Sequence, residues 1–360
     1  MIITPNHPQF FLILLQKDSD CSCVFSILLI LRIHMFESNP PSITVIVPLY
    51  NKANEIERSL QSIYHQTVTG YELIIIDGGS TDGSLEIAES HMNDSRIRLV
   101  HQKSKGLPAA RNEAIALSRG ELIAFLDADD EWHPDFLETI IRLYHQYPDA
   151  GIYATAYERF SVTTAKPSPL KGLSEAFEGY LPSWFTVYVK SGYPPFCPCS
   201  VALHRNMFSK TGYFNPNSRM AEDVEMWVKA ALNVPIVFTK EIHARYHLFA
   251  ENKMSTDYYP IEQLPPVTYL DSIPEGILQK RADYSDVLLA KEYLNLITAY
   301  FNLGAGHRKY AKQALAKSTS KEFIVRRTGL WGLSILPAFV SKRIIKIYAA
   351  LPYVIDKLRC

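Results

Sequence analysis

Apolar runs alternate with helical patterns over residues 42–150, and this alternation constrains the fold more than any other feature of the sequence. The runs are rich in Val, Ile and Leu, and they read ITVIV (43–47), ELIIID (72–77), IRLV (97–100) and LIAFLD (122–127). Strands that alternate with helices at this spacing form a mostly parallel sheet with helices on both faces. We therefore predict an α/β fold in which Pro48 ends the first strand.

The segments between and after these runs predict four helices. One has Ile56, Leu60 and Ile63 on one face, and the others start near Gly83, cover 107–120, and extend from Pro134 to about Tyr147. In parallel sheets, ligands bind in the crevice beyond the carboxyl ends of the strands. The residues that follow the strands are therefore the first candidates for a site.

Four carboxylates follow the last strand in the stretch GELIAFLDADDEWHP (120–134). If the strand geometry continues, Asp127 and Asp129 point to the same side, where they suit one divalent cation such as Mg²⁺. The same residues also suit a turn in which carboxylates cap the backbone, and that interpretation suffices for Asp130 and Glu131. For Asp127 and Asp129 both interpretations stay open.

Other polar residues stand at the same expected crevice. Asp77 closes the second strand, where it either accepts a hydrogen bond from a nucleotide or caps the following turn. Gly106 and Arg111 stand at the start of a predicted helix, where backbone N–H groups and the helix dipole favour phosphate. The alternative for Arg111 is an exposed position in which it pairs with Glu113.

An acidic pair, Glu222 and Asp223, precedes the apolar helical pattern of Met226, Trp227 and Ala230. Acidic residues are common at helix N-termini because they interact favourably with the helix dipole. From its position alone, the pair is therefore the start of a helix.

Four segments in this order resemble the signature segments of family 2 glycosyltransferases, which have the GT-A fold: SITVIVPLYNK, ELIIIDGGSTDGS, GLPAARNEAIALSRGELIAFLDADD and GYFNPNSRMAEDVEMW. The resemblance covers about residues 42–255. It implies an inverting enzyme that moves a sugar from a nucleoside diphosphate sugar, with a UDP-sugar expected first, to an acceptor hydroxyl. It also implies Mg²⁺ or Mn²⁺ as cofactor, and a saccharide or lipid-linked saccharide acceptor in cell-surface polysaccharide or glycolipid synthesis.

The resemblance implies a role for each candidate residue. Asp129 is expected to be the main metal ligand with Asp127 beside it, and Asp223 the catalytic base. Glu222 is the next candidate for the base, and Trp227 is expected to pack beneath the acceptor. The residues expected to bind the nucleotide sugar are Pro48, Tyr50, Asn51, Asp77, Gly106, Arg111 and Asp127.

The chain departs from the family pattern after the catalytic helix. Many relatives carry a Tyr-Arg-x-His segment, whereas this chain reads ARYHLF, with His247 where Arg is usual and Phe249 where His is usual. A histidine metal ligand is therefore not transferred to this chain. His247 either substitutes for it or is an ordinary surface or core histidine.

The predicted organisation has three parts. The leader contains two apolar patches too short to span a bilayer, and its first 34 residues are expected to be an over-extended start. The parts are a poorly structured leader (1–41), a GT-A domain (42–260) with a nucleotide-binding half (42–150) and an acceptor half (151–260), and a C-terminal helical region (261–360).

The C-terminal stretch is basic and amphipathic. Residues 321–360 carry eight Lys or Arg against two acids. The apolar residues that share one helical face there are Val340, Ile344, Ile347 and Leu351. Such a helix either lies in a membrane interface or docks on the catalytic domain with a solvated basic face. The first alternative predicts a peripheral contact with the cytoplasmic face of the cell membrane.

Composition narrows the partners and the setting. Lys plus Arg equals Asp plus Glu at 37 each, so no excess of positive charge indicates nucleic acid as a partner. The five cysteines contain no C-x-x-C pair, which fits a reduced, cytosolic setting.

Two other functions are compatible with the fold. A nucleotidyltransferase also uses a nucleotide and a metal, but it does not need the Glu222–Asp223 pair opposite an acceptor. A catalytically silent scaffold at the membrane is the other alternative, and the intact carboxylates at Asp127, Asp129 and Asp223 argue against it.

Overall fold

The structure is a computed structural model that describes residues 43–161, 164–248, 250 and 258–357, with the side chains of 348–357 outside the description. The predicted leader and Phe249 lie outside the described residues, as does the side chain of Leu351.

Ten strands form one sheet in the described part of the chain. Their bounds are β1 Ile43–Leu49, β2 Tyr71–Asp77, β3 Ile97–His101, β4 Leu122–Phe125, β5 Glu131–Trp132, β6 Ile152–Phe160, β7 Ala165–Pro167, β8 Glu178–Tyr180, β9 Val201–His204 and β10 Ile236–His247. The order along the sheet is β3-β2-β1-β4-β9-β6-β10-β5, while β7 pairs with β6 and β8 with β10. The pairs β3–β2, β2–β1, β1–β4 and β6–β10 are parallel, and the other pairs are antiparallel.

The α-helices that the structure describes are α1 Ile56–Tyr64, α2 Ser84–Ser90, α3 Leu107–Leu117, α4 Phe136–Gln146, α5 Trp184–Ser191, α6 Phe208–Thr211, α7 Glu222–Asn233, α8 Pro265–Ser272, α9 Glu275–Leu278, α10 Tyr284–Ala305, α11 Arg308–Ala316, α12 Ile324–Ile335 and α13 Ala338–Lys357. Short 3₁₀ helices lie at Pro198–Ser200, Arg205–Met207 and Lys321–Phe323. The four helices predicted up to Tyr147 are confirmed, although α3 ends at Leu117 instead of extending to Gly120. None of the helices described here combines the length and the apolar character of a bilayer-spanning segment.

Helices cover both faces of the sheet, as the alternation of elements predicts. Alternate residues of β1 enter two hydrophobic cores: Ile46 packs with α3 and α7 on one face, and Val45 packs with α1 and α4 on the other. Both residues are fully buried. β1, β2 and β4 are rich in apolar residues because each of them is buried on both faces.

β1 continues through Pro48 to Leu49, so the prediction that the proline ends the strand is wrong. The C=O of Ile46 accepts a hydrogen bond from the N–H of Leu126 at 3.0 Å, so the backbone of Ile46 faces β4. The backbone of Pro48, two residues later, faces the same side. β4 has already ended there, because its last residue, Phe125, pairs with Ile46. The missing N–H of Pro48 therefore costs no ladder hydrogen bond.

β4 contains only Leu122–Phe125, and the acidic cluster that follows is a turn. The N–H of Asp130 donates to the C=O of Asp127 at 2.9 Å and closes this turn. The strand argument that sends Asp127 and Asp129 to the same side is therefore wrong, because side chains alternate only where the backbone is extended.

β9 is an element that the sequence did not predict. Its four residues are buried, and they pair antiparallel with β4 and with β6. The strand makes the sheet mixed at its centre, so the predicted parallel arrangement holds for β3-β2-β1-β4 and for β6–β10. A run of four buried residues carries no periodicity that distinguishes a strand from other buried segments.

One hydrophobic core joins the acceptor half to the C-terminal helices. It contains Phe196 and Trp227 together with Leu294 and Ala299 of α10. The long helix α10 packs against α5, α11 and α13. The predicted helical segment 284–317 is two helices, which separate at Gly306, where φ is 80°.

Candidate active site

The loop after β1 and the turn after β2 are joined by hydrogen bonds at the carboxyl edge of the sheet. The N–H of Asn51 donates to Ser80 Oγ at 3.0 Å, and Asn51 Oδ1 accepts from the N–H of Thr81 at 2.8 Å. Asn51 has φ 50°, in the left-handed region that most residues avoid. Pro48 and Asn51, which are predicted to bind the nucleotide, therefore lie near the turn that follows Asp77. Residues at the carboxyl ends of neighbouring strands are expected to meet in this way.

Asp77 organises this turn. Its carboxylate is buried and accepts hydrogen bonds from the N–H groups of Gly79, at 2.9 Å, and Ser80, at 3.2 Å. A Cβ on Gly78 would lie 3.1 Å from Gln102 Oε1, so the chain passes closely at this point. Tyr50 is 58% exposed next to Gly78, and its ring borders open space. The turn interpretation of Asp77 is thus observed, and a contact with a nucleotide base stays a prediction.

Arg111 is buried and links the two acidic motifs. Its Nη2 donates to Asp127 Oδ1 at 3.0 Å, and its Nη1 donates to Glu222 Oε1 at 3.1 Å. Although burial opposes its charge, the carboxylates of Asp127 and Glu222 raise the pKa of Arg111 above its ordinary value. The alternative of an exposed Arg111 paired with Glu113 is wrong, because Glu113 instead accepts from the backbone N–H groups of residues 103 and 104.

α3 places Arg111 at this point. The helix begins after Gly106, whose φ of 99° is readily adopted only by glycine, and Pro108 lies in its first turn. No side chain caps the first N–H groups of α3. A role for this helix start as an anion site stays a prediction.

Asp129 pairs with a residue that the sequence analysis did not single out. Its Oδ2 lies 2.9 Å from Lys52 Nζ, and both side chains are 11% exposed. The C=O of Asp129 accepts from Arg58 Nη2 at 2.6 Å, which fixes the backbone of the turn. Lys52 and Arg58 were missed because their partner lies more than 70 residues away. The signal for Lys52 was its place in PLYNK, directly after the segment assigned to the nucleotide.

The chemistry of the donor atoms fits a divalent cation. Asp127 and Asp129 supply hard oxygen ligands, and the Lys52 ammonium already occupies a cation position at Asp129. The described residues contain no group of three or more His, Cys, Asp or Glu that could hold a metal alone. Mg²⁺ commonly takes one or two carboxylates and completes its coordination with phosphates and water. The two carboxylates therefore fit a metal whose coordination other oxygen ligands complete.

Glu222 and Asp223 form a partly buried acidic pair at the start of α7. Ala221, which precedes them, has φ 55°. Burial, and then the neighbouring Asp223, raise the pKa of Glu222 to about 7, although Arg111 acts in the opposite direction. Burial likewise raises the pKa of Asp223. The pair therefore retains a proton at pH values where an ordinary carboxyl has lost it, and its titration belongs to both residues.

Trp227 and His247 lie outside this cluster of charges. Trp227 is fully buried, and its ring packs edge-on against Phe196 at 5.1 Å between centroids. It therefore belongs to the hydrophobic core, and a position beneath an acceptor stays a prediction. His247 Nε2 lies 3.3 Å from Glu131 Oε1, and Glu131 also pairs with Arg245. His247 therefore takes part in a structural ion-pair network.

The residues brought together at one crevice thus include Arg111, Asp127, Asp129, Glu222 and Asp223 from three separate motifs. When all are ionised, the four carboxylates outweigh Lys52 and Arg111 and leave a charge of −2. A negative charge of this kind favours the binding of a divalent cation.

Comparisons with known proteins identify chains that resemble this one in sequence and in fold. The model of the family described as Glycosyl transferase family 2 matches residues 44–210. EpsH of Bacillus subtilis, described as a glycosyltransferase, is 33% identical over 224 residues, which cover 58% of this chain and 62% of EpsH. The chain thus spans less than two thirds of that relative.

Solved structures share the fold. TarS of S. aureus, crystallised as residues 1–349 in complex with UDP-GlcNAc, superposes with a TM-score of 0.60 at 17% identity over 88% of this chain and 92% of that one. The mannosyltransferase PcManGT of Pyrobaculum calidifontis, in complex with GDP-Man and Mn²⁺, gives a TM-score of 0.51 at 19% identity over 89% of each chain. At these identities the likeness shows the fold, which is the GT-A fold predicted from the sequence.

Replacing Arg111 with Leu is expected to lower the free energy of unfolding by about 3–5 kcal/mol, because carboxylates at Asp127 and Glu222 lose their buried partner. Arg119→Leu is the matched control. Arg119 pairs with Glu72, but its side chain is 75% exposed, so its loss should cost less than about 1 kcal/mol. Urea denaturation of both variants measures this difference. Equal costs would mean that Arg111 does not hold the acidic motifs together.

The raised pKa of Glu222 predicts that its contribution to stability falls as pH rises from its ordinary pKa of 4.5 to about 7. Within this window the folded chain retains a proton that the unfolded chain has released, so raising the pH favours unfolding. Glu222→Gln removes this dependence. The variant should therefore gain on the order of 3 kcal/mol relative to wild type across the window. Urea titrations at several pH values check this, and a difference independent of pH would contradict it.

Proposed function

Because residues 44–210 match the model of the family Glycosyl transferase family 2, we propose that the chain is an inverting glycosyltransferase that moves a sugar from a nucleoside diphosphate sugar to an acceptor hydroxyl. The observation that carries this proposal is the buried guanidinium of Arg111. It joins Asp127, on the nucleotide side, to Glu222, at the start of the helix that bears the expected base. A donor and an acceptor bound on the two sides of Arg111 would meet at one crevice.

The proposed donor is a UDP-sugar. The loop from Tyr50 to Lys52 and the turn after Asp77 form the wall against which a nucleoside would lie. TarS, the neighbour with the TM-score of 0.60, was crystallised with UDP-GlcNAc, whereas PcManGT was crystallised with GDP-Man. The first likeness favours uridine for this chain.

Asp129 and Asp127 are the proposed ligands of Mg²⁺ or Mn²⁺. When bound, such a cation neutralises the charge that develops on the departing nucleoside diphosphate. Arg111 keeps the Asp127 carboxylate in place. The N–H groups at the start of α3, after Gly106, add fixed positive dipoles on the same side.

Asp223 is the proposed catalytic base. Its Oδ1 accepts from the N–H of Val224 at 2.7 Å, whereas Glu222 is held by Arg111 at 3.1 Å. The raised pKa of Asp223 makes its carboxylate a stronger base toward an acceptor hydroxyl than an ordinary aspartate. The hydroxyl oxygen, losing its proton to Asp223, attacks the anomeric carbon opposite the leaving diphosphate. One displacement inverts the configuration of that carbon.

The proposed acceptor is a saccharide or a lipid-linked saccharide, in the synthesis of cell-surface polysaccharide or glycolipid. A peripheral membrane contact fits this role, and we propose that α12 and α13 provide it. Residues 323–355 contain no acid and five Lys or Arg. Apolar side chains project among these cations: Val325 is 82% exposed, Phe339 75% and Ile335 66%. Cations beside exposed apolar groups suit an anionic lipid surface.

The two motifs are expected to separate donor binding from chemistry. Asp129→Asn should weaken metal-dependent binding of UDP because it removes a metal ligand, and it should lower turnover as well. Asp223→Asn should leave the donor complex intact and lower the rate by about a hundredfold or more, because the proton acceptor is lost.

Calorimetry with UDP or GDP and Mn²⁺, beside a transfer assay with candidate nucleotide sugars, distinguishes these effects. If Asp223→Asn retains nearly the parent rate, the base is elsewhere and Glu222 is next to test. If Asp129→Asn binds nucleotide and metal as wild type does, the cluster at 127–131 is only a capped turn.

Vesicle sedimentation tests the membrane contact. The double variants Val325→Ser/Phe339→Ser and Lys342→Gln/Lys346→Gln should each reduce partitioning to anionic vesicles about tenfold or more. Ile277→Ser is the control, because Ile277 is 59% exposed on α9, away from the basic stretch. Unchanged partitioning of both double variants would leave the surface without a role in membrane binding.

A further inference from the structure

The Lys52 ammonium and a metal ion cannot both occupy the position beside the Asp129 carboxylate. Its Nζ lies 2.9 Å from Asp129 Oδ2, and both side chains are 11% exposed, so the pair is largely shielded from water. A bound Mg²⁺ lies about 2.1 Å from its oxygen ligands. A divalent ion on the same carboxylate would therefore be within a few ångströms of the ammonium and would repel it strongly.

The backbone around this pair is anchored independently of the Lys52–Asp129 contact. The N–H of Lys52 donates to Ser84 Oγ at 3.0 Å, and its C=O accepts from the N–H of Ile56 at 2.9 Å. On the other side, Arg58 holds the C=O of Asp129 at 2.6 Å. Rotation of the flexible lysine side chain can therefore displace the ammonium without movement of this backbone.

The surroundings suggest where the displaced ammonium goes. Lys52 follows Asn51, which is hydrogen-bonded to the turn after Asp77. This loop borders the proposed nucleotide position, and a lysine ammonium binds phosphate as a mobile point charge. The same side chain can thus neutralise Asp129 before loading and a phosphate oxygen after it.

We propose that Lys52 is an internal placeholder cation: it holds the Asp129 carboxylate until a divalent metal displaces it, and it then pairs with the donor diphosphate. The inference rests on the proposed function, because it requires a metal-dependent nucleotide site at Asp129. It makes Lys52 a positioning residue that lowers affinity for metal alone and raises affinity for nucleotide with metal. The site therefore binds metal and nucleotide together in preference to metal alone.

The test is the response of two affinities to Lys52→Met. Titration of the full chain with Mn²⁺ alone, followed by electron paramagnetic resonance of free Mn²⁺, should show at least about a fivefold lower Kd for the variant, since a competing cation is gone. Calorimetry with UDP or GDP in saturating Mn²⁺ should show at least about a fivefold higher Kd, since a phosphate contact is lost. Lys280→Met is the control, because Lys280 is exposed after α9, in a region to which the proposed site assigns no ligand, and should change neither affinity by as much.

Opposite shifts of the two affinities support the placeholder role. If Lys52→Met weakens or leaves unchanged the binding of Mn²⁺ alone, the lysine is a structural partner of Asp129 and the inference is overturned. If wild type binds neither nucleotide with Mn²⁺, the proposed function fails first. If wild type binds nucleotide with Mn²⁺ and transfers the sugar, and Lys52→Met has the same two affinities, the inference is refuted while the proposed function stands.

A measurement on the wild-type chain covers the case in which Lys52→Met does not fold. Amine-selective labelling, read by mass spectrometry, should modify Lys52 slowly in metal-free protein. Mn²⁺ alone should raise its labelling rate, and Mn²⁺ with the nucleotide that binds should lower it again, while the labelling rate of Lys280 stays constant. A Lys52 rate that does not change with Mn²⁺ would contradict displacement.

Discussion

The buried guanidinium of Arg111 is the contact on which the candidate site depends. Asp127 follows β4 and Glu222 begins α7, and their side chains are 25% and 11% exposed. Without a cation between them they would repel each other or take up protons. Arg111 satisfies both, and it also lies over the rings of Phe125 and Phe214, at 5.9 and 5.5 Å from their centroids. The same contact thus joins electrostatics to the packing of the core.

Residues with a strained, positive φ lie at the same crevice. Among the described residues, Asn51 and Ala221 are the two non-glycine residues with positive φ. One precedes Lys52 and the other precedes Glu222, so each strained residue directly supports a charged side chain of the site. Such conformations persist only where the surrounding structure compensates their cost, and they concentrate at functional sites. The hydrogen bonds from Asn51 to Ser80 and Thr81 are compensation of this kind.

Hydrophobic patterning predicts the centre of this fold well and its boundaries poorly. The strands β1, β2 and β4 are fully buried, so each is visible as an apolar run. Whether β1 continues through Pro48 depends instead on where its neighbour ends, which no local pattern records. Within the site, the burial of Arg111 and the partner of Lys52 arise from contacts between residues 111 and 77 positions apart. The family resemblance found the carboxylates, while their mutual arrangement required the fold.

The packing that supports the acidic pair also positions the surface of α12 and α13. α7 begins at Glu222 and packs on α5, α5 packs on α10, and α10 packs on α13. At the end of α5, Tyr293 donates to the C=O of Gly192 at 2.9 Å, and Arg326 of α12 lies over the Tyr293 ring. Because a close-packed interior does not deform freely, this surface and the proposed base keep a fixed relation. A membrane bound there would hold a lipid-linked acceptor at a set distance from Asp223, whereas a freely diffusing saccharide gains nothing from that distance. Under the proposed function, membrane binding by the basic apolar surface of α12 and α13 therefore implies that the acceptor is lipid-linked.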